Sequence, residues 1–299
     1  NYDGNRLFKI ASGSGEYDLH WTETMMKQAR NQMDGLSLHY YTVAGWSGSK
    51  GSATDFTPED YYWTMGKCLE NCIKEHSAVM DKYDPKKRVA LMVDEWGTWW
   101  DEEPGTIRGH LYQQNTMRDA FVAALSLNVF HKYTDRIKMA NIAQIANVLQ
   151  SMILTKDDKM VLTPSYYVFQ MYNVHQDATY LPIEVQCENK QVRARMGQDG
   201  EQRTLPMLGA TASKAQDGAV HISLSNVDLE NSNEVTVDLS GLGMKSVAGR
   251  ILTCKAITDK NTFEQPDVVK PADFKGAKLK NGKLAVKMPP MSIVALELR

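Results

Sequence analysis

Between Arg88 and Trp100 the chain reads Arg-Val-Ala-Leu-Met-Val-Asp-Glu-Trp-Gly-Thr-Trp-Trp, and no other stretch limits the fold as much. The apolar run from Val89 to Val93 lacks the apolar-polar alternation of a strand that is wet on one side, so it predicts a strand buried on both faces. Strands of that kind belong to parallel sheets covered by helices. Two carboxylates, Asp94 and Glu95, follow at its end with an aromatic cluster. In parallel α/β architectures the catalytic groups sit at the carboxyl ends of strands, where a rigid sheet aims them into a cleft. Glu95 is therefore the first candidate for chemistry. The same acids also suit the start of a solvated loop, with the tryptophans covering core.

Strand-like and helix-like segments alternate around this stretch. Leu7 to Ala11 reads as a short strand closed by the run Ser12-Gly13-Ser14-Gly15. A helix-like segment from Thr22 to Met33, with Thr22 as its cap, stops at Asp34-Gly35. Leu36 to Tyr41 reads as a second strand, and the Gly/Ser-rich loop from Gly45 to Ser52 is long enough to shape a cleft. Thr57-Pro58-Glu59-Asp60 opens a helix predicted to run to about Tyr83 and to stop before Pro85. After the organising strand, a helix from about Gln113 to Phe130 places Met117, Phe121, Ala124 and Leu125 on one face. Met139 to Ala143 supplies a further apolar segment ending at Gln144, and Thr163-Pro164 opens a helix from Ser165 to Val174. Such a βαβα series implies a parallel sheet.

Beyond about Asp177 the period changes. Val220/Ile222/Leu224 and Val235/Val237/Leu239 alternate at period two, and Met291 to Leu298 reads as a closing strand. This predicts an α/β domain over 1–177 and an antiparallel β-sandwich over 178–299, in line with the two domains that 299 residues lead one to expect.

Composition excludes several classes. A chain that is 42% hydrophobic and 23% charged is not disordered, and a net charge of -2 gives no electrostatic footprint for nucleic acid or an anionic membrane. No apolar run is long enough to span a bilayer, and residues 1–20 have no signal-peptide hydrophobic region. The first residue is Asn1 rather than Met, so an upstream portion is expected to have been removed or left out. The compartment stays open, whether secreted, periplasmic or cytoplasmic. Four cysteines do not make a disulfide scaffold in a chain of this length. Cys68 and Cys72, four apart on a predicted helix, suit a metal by spacing, but no Cys or His pair at zinc-finger spacing accompanies them, which favours two small residues packed on one helix face. Whether Cys187 and Cys254 meet is open.

Half of an eight-stranded barrel is what four strand-helix units make, and the whole takes about 250 residues by itself. Half a barrel would expose two raw sheet edges, so the other half is expected on an absent N-terminal portion, a separate piece or another copy of the chain. The wording of the motifs points the same way. Leu36-Ser37-Leu38-His39-Tyr40-Tyr41, Asp94-Glu95-Trp96-Gly97-Thr98-Trp99, Ala140-Asn141-Ile142-Ala143-Gln144-Ile145-Ala146-Asn147-Val148 and Thr163-Pro164-Ser165-Tyr166-Tyr167-Val168-Phe169 resemble, in order and spacing, the α-L-arabinofuranosidases of glycoside hydrolase family 51. The resemblance covers essentially the whole chain. It implies a (β/α)8 barrel followed by a β-sandwich, with Leu7, Leu36, Val89 and Met139 beginning barrel strands five to eight.

Carried over by position, Glu95 looks like the catalytic nucleophile of a retaining mechanism, in which a carboxylate forms a covalent glycosyl-enzyme that water later hydrolyses. His39 and Tyr41 look like groups that orient it and contact the sugar, the Tyr41 phenol as donor to Glu95. Trp99 looks like an aromatic wall of the sugar pocket, and Gln144 like a donor to sugar hydroxyls. On residue type alone His39 also suits a satisfied core histidine and Gln144 a surface amide. Trp96 and Trp100 are expected in the core or at the lip. A retaining mechanism needs a second carboxyl about 5 to 5.5 Å from the first. In the family it belongs to a Gly-Asn-Glu motif ending the fourth strand, and no Gly-Asn-Glu occurs in this chain. Glu16 and Asp18 fit no family motif and read as loop acids. The expectation is part of an exo-acting enzyme cleaving arabinofuranosyl residues from plant glycans, without metal or organic cofactor, and inactive by itself. Two alternatives stay open: a non-catalytic carbohydrate-binding or assembly module, and another barrel glycosidase such as a β-glycanase.

Overall fold

The computed structural model describes residues 7–43, 45–46, 48–67, 69–193 and 202–299. Four parallel strands, β1 (Ile10–Gly15), β2 (Gly35–Thr42), β3 (Ala90–Thr98) and β4 (Ile137–Ile142), lie side by side in sequence order. Helices α1 (Leu19–Ala29), α2 (Pro58–Gly66), α3 (Glu70–Tyr83) and α4 (Met117–Lys132) connect them. Leu91 and Val93 are fully buried, as a strand covered on both faces requires.

Several boundaries differ from the sequence reading, each for a visible reason. The first strand does not stop at Ala11 but runs through the Gly/Ser stretch to Gly15. A Cβ on Gly13 would lie 1.4 Å from the Ser37 carbonyl oxygen, so the glycine is there for close strand approach at a bulge and does not end the strand. The helix after it starts at Leu19, and Asp18, not Thr22, is its cap, accepting from the Trp21 amide at 3.0 Å. Thr22 is buried instead and bonds His76 Nδ1 at 2.8 Å.

The segment from Thr57 to Tyr83 is two helices rather than one. Thr57 and Asp60 form the capping box at its start, with Pro58 in the first turn. The chain turns at Lys67, whose amide reaches back to the Thr64 carbonyl at 3.1 Å. Lys67 Nζ donates to the Val43 carbonyl and the Tyr40 phenol donates to the Lys67 carbonyl, so the break is tied to the end of β2. No local propensity reveals a break fixed by such distant partners. Helix α4 begins at Met117, not Gln113, because Thr116 and Asp119 form its capping box.

Beyond β4 the chain forms an unanticipated hairpin, β5 (Ile153–Lys156) with β6 (Lys159–Leu162), then α5 (Pro164–Tyr172) and one 3-10 turn, Asn173–His175. The remaining strands are β7 (Thr179–Leu181), β8 (Asn189–Arg193), β9 (Gln202–Pro206), β10 (Leu208–Lys214), β11 (Val220–Asn226) and β12 (Asn233–Asp238). They continue with β13 (Val247–Thr253), β14 (Ala272–Asp273), β15 (Ala277–Lys280), β16 (Lys283–Met288) and β17 (Ser292–Leu298). A sheet ordered β14-β13-β17-β11-β10-β7 faces a smaller one ordered β12-β16-β15, while β8 and β9 form a separate hairpin. Ile222, Val294 and Leu296 from the first sheet pack with Leu284, Val286 and Met288 from the second, which makes this part an antiparallel sandwich. Each such buried side chain stabilises the fold by roughly 1.5–3 kcal/mol.

Period two in β11 marks one face only: Val220, Ile222 and Leu224 enter the sandwich core, yet His221, Ser223 and Ser225 on the other face are buried as well. The helical layer covers them. His175 bonds Ser213 Oγ at 2.7 Å and Ser223 Oγ at 2.9 Å, and His131 Nδ1 meets Thr211 Oγ1 at 3.1 Å. Phe121 and Val168 share a core with Val227, Leu252 and Ile293, so the sandwich and the parallel sheet are packed as one body. Among the described residues no helix is long and apolar enough to cross a membrane.

Candidate active site

The candidate residues meet near the carboxyl ends of β1, β2 and β3. Gly15 pairs with His39 and His39 with Glu95, which places three strands in one row. The register slips between Ser37 and His39 against β3, and between Val93 and Trp96 against β4. At this irregularity Asp94 and Glu95 are both half-buried, and both reach the same imidazole. β3 does not end before the acids, as the apolar run suggested, but continues to Thr98. Beyond them, Gly97 at φ +146 lies so close to Gln150 that a Cβ would fall 2.4 Å from its amide carbon. Glycine is needed there.

Each oxygen of Glu95 has its own neighbour. The Tyr41 phenol donates to Oε1 at 2.6 Å, and His39 Nδ1 lies 3.3 Å from Oε2. Burial and the bonded carboxylate push the Tyr41 phenol far above its ordinary range, so it stays a protonated donor. On the other ring nitrogen, His39 Nε2 lies 3.5 Å from Asp94 Oδ1, which accepts from Ser37 Oγ at 2.7 Å. Ser37, Asp94, His39, Glu95 and Tyr41 thus form a chain of contacts across two strands. Asp94 and Ser37 are the members that sequence reasoning left without a role; their signal was adjacency to Glu95 and to His39.

An aromatic wall stands beside this carboxylate. Trp99 meets Tyr41 edge-on with ring centroids 5.0 Å apart, and Trp46 meets Trp99 at 5.6 Å. Trp46 was missed, because its partners Trp99, Tyr41 and Glu16 are distant in sequence. Trp96 and Trp100 are buried, as core residues. Trp100 Nε1 and Thr98 Oγ1 both donate to Asp119 Oδ1, at 2.9 and 2.6 Å, so the capping residue of α4 also fixes the end of β3.

Gln144 is not brought into contact with the others. It lies exposed past the end of β4, where the Ala143 amide donates to the Trp96 carbonyl at 2.9 Å. Asp18 is a helix cap, whereas Glu16 accepts from Trp46 Nε1 at 2.6 Å and therefore borders the aromatic wall. Cys68 lies outside the described residues, while Cys72 is buried and is pushed up to about 12 chiefly by burial. Cys187 and Cys254 are free, with neighbours at the Leu208 carbonyl and Met291 sulfur respectively. Among the described residues no group of three His, Cys, Asp or Glu side chains is placed to hold a metal. A cavity of about 900 Å³ between α2, the β8–β9 hairpin and the loop after β11 contains none of the candidate side chains.

With this geometry in place, the comparisons with known proteins are specific. The family "Alpha-L-arabinofuranosidase C-terminal domain" matches residues 94–292. An intracellular exo-alpha-L-arabinofuranosidase of Bacteroides ovatus is 64% identical over 301 residues, covering 100% of this chain and 57% of that protein. The crystal structure of the GH51 arabinofuranosidase from Xanthomonas axonopodis pv. citri superposes with a TM-score of 0.93 at 46% identity, over 100% of this chain and 59% of that one. An arabinose complex of the Thermotoga maritima α-L-arabinofuranosidase shares the fold at a TM-score of 0.80 and 24% identity, over 96% of this chain and 57% of that one. The chain thus spans a little over half the length of the relatives it matches. It belongs to the glycoside hydrolase family 51 α-L-arabinofuranosidases and corresponds to their C-terminal portion.

Proposed function

We propose that this chain supplies the nucleophile and part of the sugar pocket of a retaining, exo-acting α-L-arabinofuranosidase, which releases terminal arabinofuranose from plant polysaccharides or oligosaccharides. On this reading β1 to β4 are strands five to eight of a (β/α)8 barrel over residues 1–177, and residues 178–299 are its accessory sandwich. The observation that carries it is the Tyr41 phenol held 2.6 Å from Glu95 Oε1 while His39 flanks the other oxygen. A charge-assisted bond of that kind holds a carboxylate in one rotamer, as attack on an anomeric carbon needs.

In the first step Glu95 forms a bond to the anomeric carbon as the glycosidic C–O bond breaks. The departing oxygen takes its proton from a second carboxyl. That group is assigned to the portion of the relatives this chain does not match, since no Gly-Asn-Glu occurs here. Water, activated by the same second group, then cleaves the glycosyl ester and restores Glu95. Trp99 packs on the apolar face of the sugar, and Gln144 bonds its hydroxyls once the missing half encloses the pocket. The chemistry calls for no metal or organic cofactor.

The test is hydrolysis of an aryl α-L-arabinofuranoside. The 299-residue chain alone is expected to be inactive, the polypeptide that includes the upstream portion active, and its Glu95→Gln variant lower in kcat by about 10³-fold or more. Undiminished turnover in that variant would remove Glu95 from the mechanism, and turnover by the isolated chain would remove the need for the upstream carboxyl.

A further inference from the structure

We infer that Asp94 is a positioning residue for the second half of the reaction: it holds the His39 ring in place while Glu95 is bound to sugar and can no longer hold that ring itself. This rests on the Glu95 reading above and gives a role to an acid that reading leaves without one.

In a regular strand successive side chains point to opposite faces, so Asp94 would turn away from any group that meets Glu95. β3 is not regular there. Val93 and Trp96 pair with Ala140 and Ile142, so two residues of β3 stand against one of β4. Met92 and Glu95 pair with Ser37 and His39, so two stand against one of β2 as well. The extra residue re-aims a side chain, as a bulge does. One imidazole therefore has an acid on each nitrogen, with Nδ1 3.3 Å from Glu95 Oε2 and Nε2 3.5 Å from Asp94 Oδ1. Asp94 is itself fixed, since Ser37 Oγ donates to the same Oδ1 at 2.7 Å. An acid that orients a histidine, which in turn serves the reacting group, is a recurrent catalytic arrangement.

Glu95 does not depend on Asp94 for its own position, because the Tyr41 phenol donates to Oε1 at 2.6 Å. The effect of Asp94 falls on the ring. Before the reaction both acids attract His39. Attack on the anomeric carbon turns the Glu95 carboxylate into an ester, its negative charge is lost to the new C–O bond, and its pull on the imidazole weakens. Asp94 does not react and remains the ring's anionic partner.

In the second half-reaction a water oxygen bonds the anomeric carbon, its proton passes to the upstream carboxylate, and the electrons of the ester C–O bond return to Glu95. Charge then reappears beside His39 Nδ1. A ring already in place meets that charge without reorganising, whereas an unheld ring must first be brought back.

The experiment is steady-state hydrolysis of a nitrophenyl α-L-arabinofuranoside by the polypeptide that includes the upstream portion and by its Asp94→Asn variant, which keeps the size of the side chain and an acceptor for Ser37. Nitrophenolate leaves readily, so the second half-reaction limits kcat. In the variant kcat is expected to fall about tenfold and KM by a similar factor, with kcat/KM, which reports the first half, within about threefold of the parent's. Intact mass spectrometry of acid-quenched enzyme should show more arabinosyl adduct than in the parent. In a His39→Gln background Asp94→Asn should change kcat by less than about twofold, since the acid acts through the ring. Ser37→Ala, which leaves both acids in place, should move kcat and KM down together by a smaller factor and gives the same reading should Asp94→Asn not fold. An unchanged kcat, a fall in kcat/KM as large as that in kcat, or the full effect of Asp94→Asn persisting without His39 overturns the inference. Turnover retained in Glu95→Gln removes the nucleophile reading, whereas an inactive Glu95→Gln beside a parent-like Asp94→Asn removes this inference alone.

Discussion

At the scale of single residues, the arrangement turns on which groups hold Glu95. Hydrogen bonds to a charged group are worth about 1.5–3 kcal/mol, so Tyr41→Phe is expected to lower kcat by roughly ten- to a hundredfold. KM should change little, and the far-ultraviolet spectrum should be unaltered. A kcat within twofold of the parent's would mean that the 2.6 Å contact with Glu95 plays no part in turnover. Glu95, His39 and Tyr41 were legible because each belongs to an ordered motif at the end of an apolar strand. Asp94 was quoted in the same motif, but its reach to His39 depends on a register slip in β3, and no sequence period encodes that. Trp46 was hidden for a related reason: its neighbours Trp99, Tyr41 and Glu16 come from three other segments.

The loops after β2 and β3 are positioned by one helix. Arg118 of α4 is buried between the Phe56 and Trp100 rings, 3.8 and 3.6 Å from their centroids, and donates to the Ser52 and Ala53 carbonyls at 3.1 and 3.2 Å. Burial brings its guanidinium down to about 10, so it remains charged at neutral pH. Arg118→Met removes both carbonyl donors and both ring contacts, and should destabilise the protein by about 2–4 kcal/mol in urea or thermal unfolding. A loss below about 0.5 kcal/mol would mean that the loops hold themselves. The strands and helices of this layer were visible as alternating apolar runs, and the capping signals at Thr57 and Thr163 lie where helices begin. Glycines misled in one place: Gly13 reads as punctuation by composition, yet the strand passes straight through it because β2 comes so near.

Across the whole molecule, the parallel sheet and the sandwich are joined by a histidine-rich seam. Burial, with His131 and His221 nearby, lowers His175 to about 3, and burial lowers His131 to about 4. His221 lies 3.5 Å from Glu297, on the solvent side of the seam. Both depressed histidines stay neutral in the folded protein where the unfolded chain, titrating near pH 6.5, already takes up protons. Stability should therefore fall as pH drops below about 6.5, by roughly 2 kcal/mol at pH 5 from His175 alone. His175→Gln should flatten this dependence in melting curves between pH 5 and 7, and an unchanged slope would contradict it. The change from mixed to period-two patterning near residue 177 was readable from sequence. The burial of the sandwich's Ser/His face was not, because polar alternation looks the same whether water or a helix covers it. The central claim, that Glu95 is the nucleophile, is tested most directly by trapping. The polypeptide including the upstream portion is incubated with a 2-deoxy-2-fluoro arabinofuranosyl donor, digested with trypsin and mapped by mass spectrometry. We predict one added sugar on the peptide from Val89 to Arg108, with fragmentation placing it on Glu95. A label on any other carboxylate, Asp94 included, or activity that survives with no label would contradict the account.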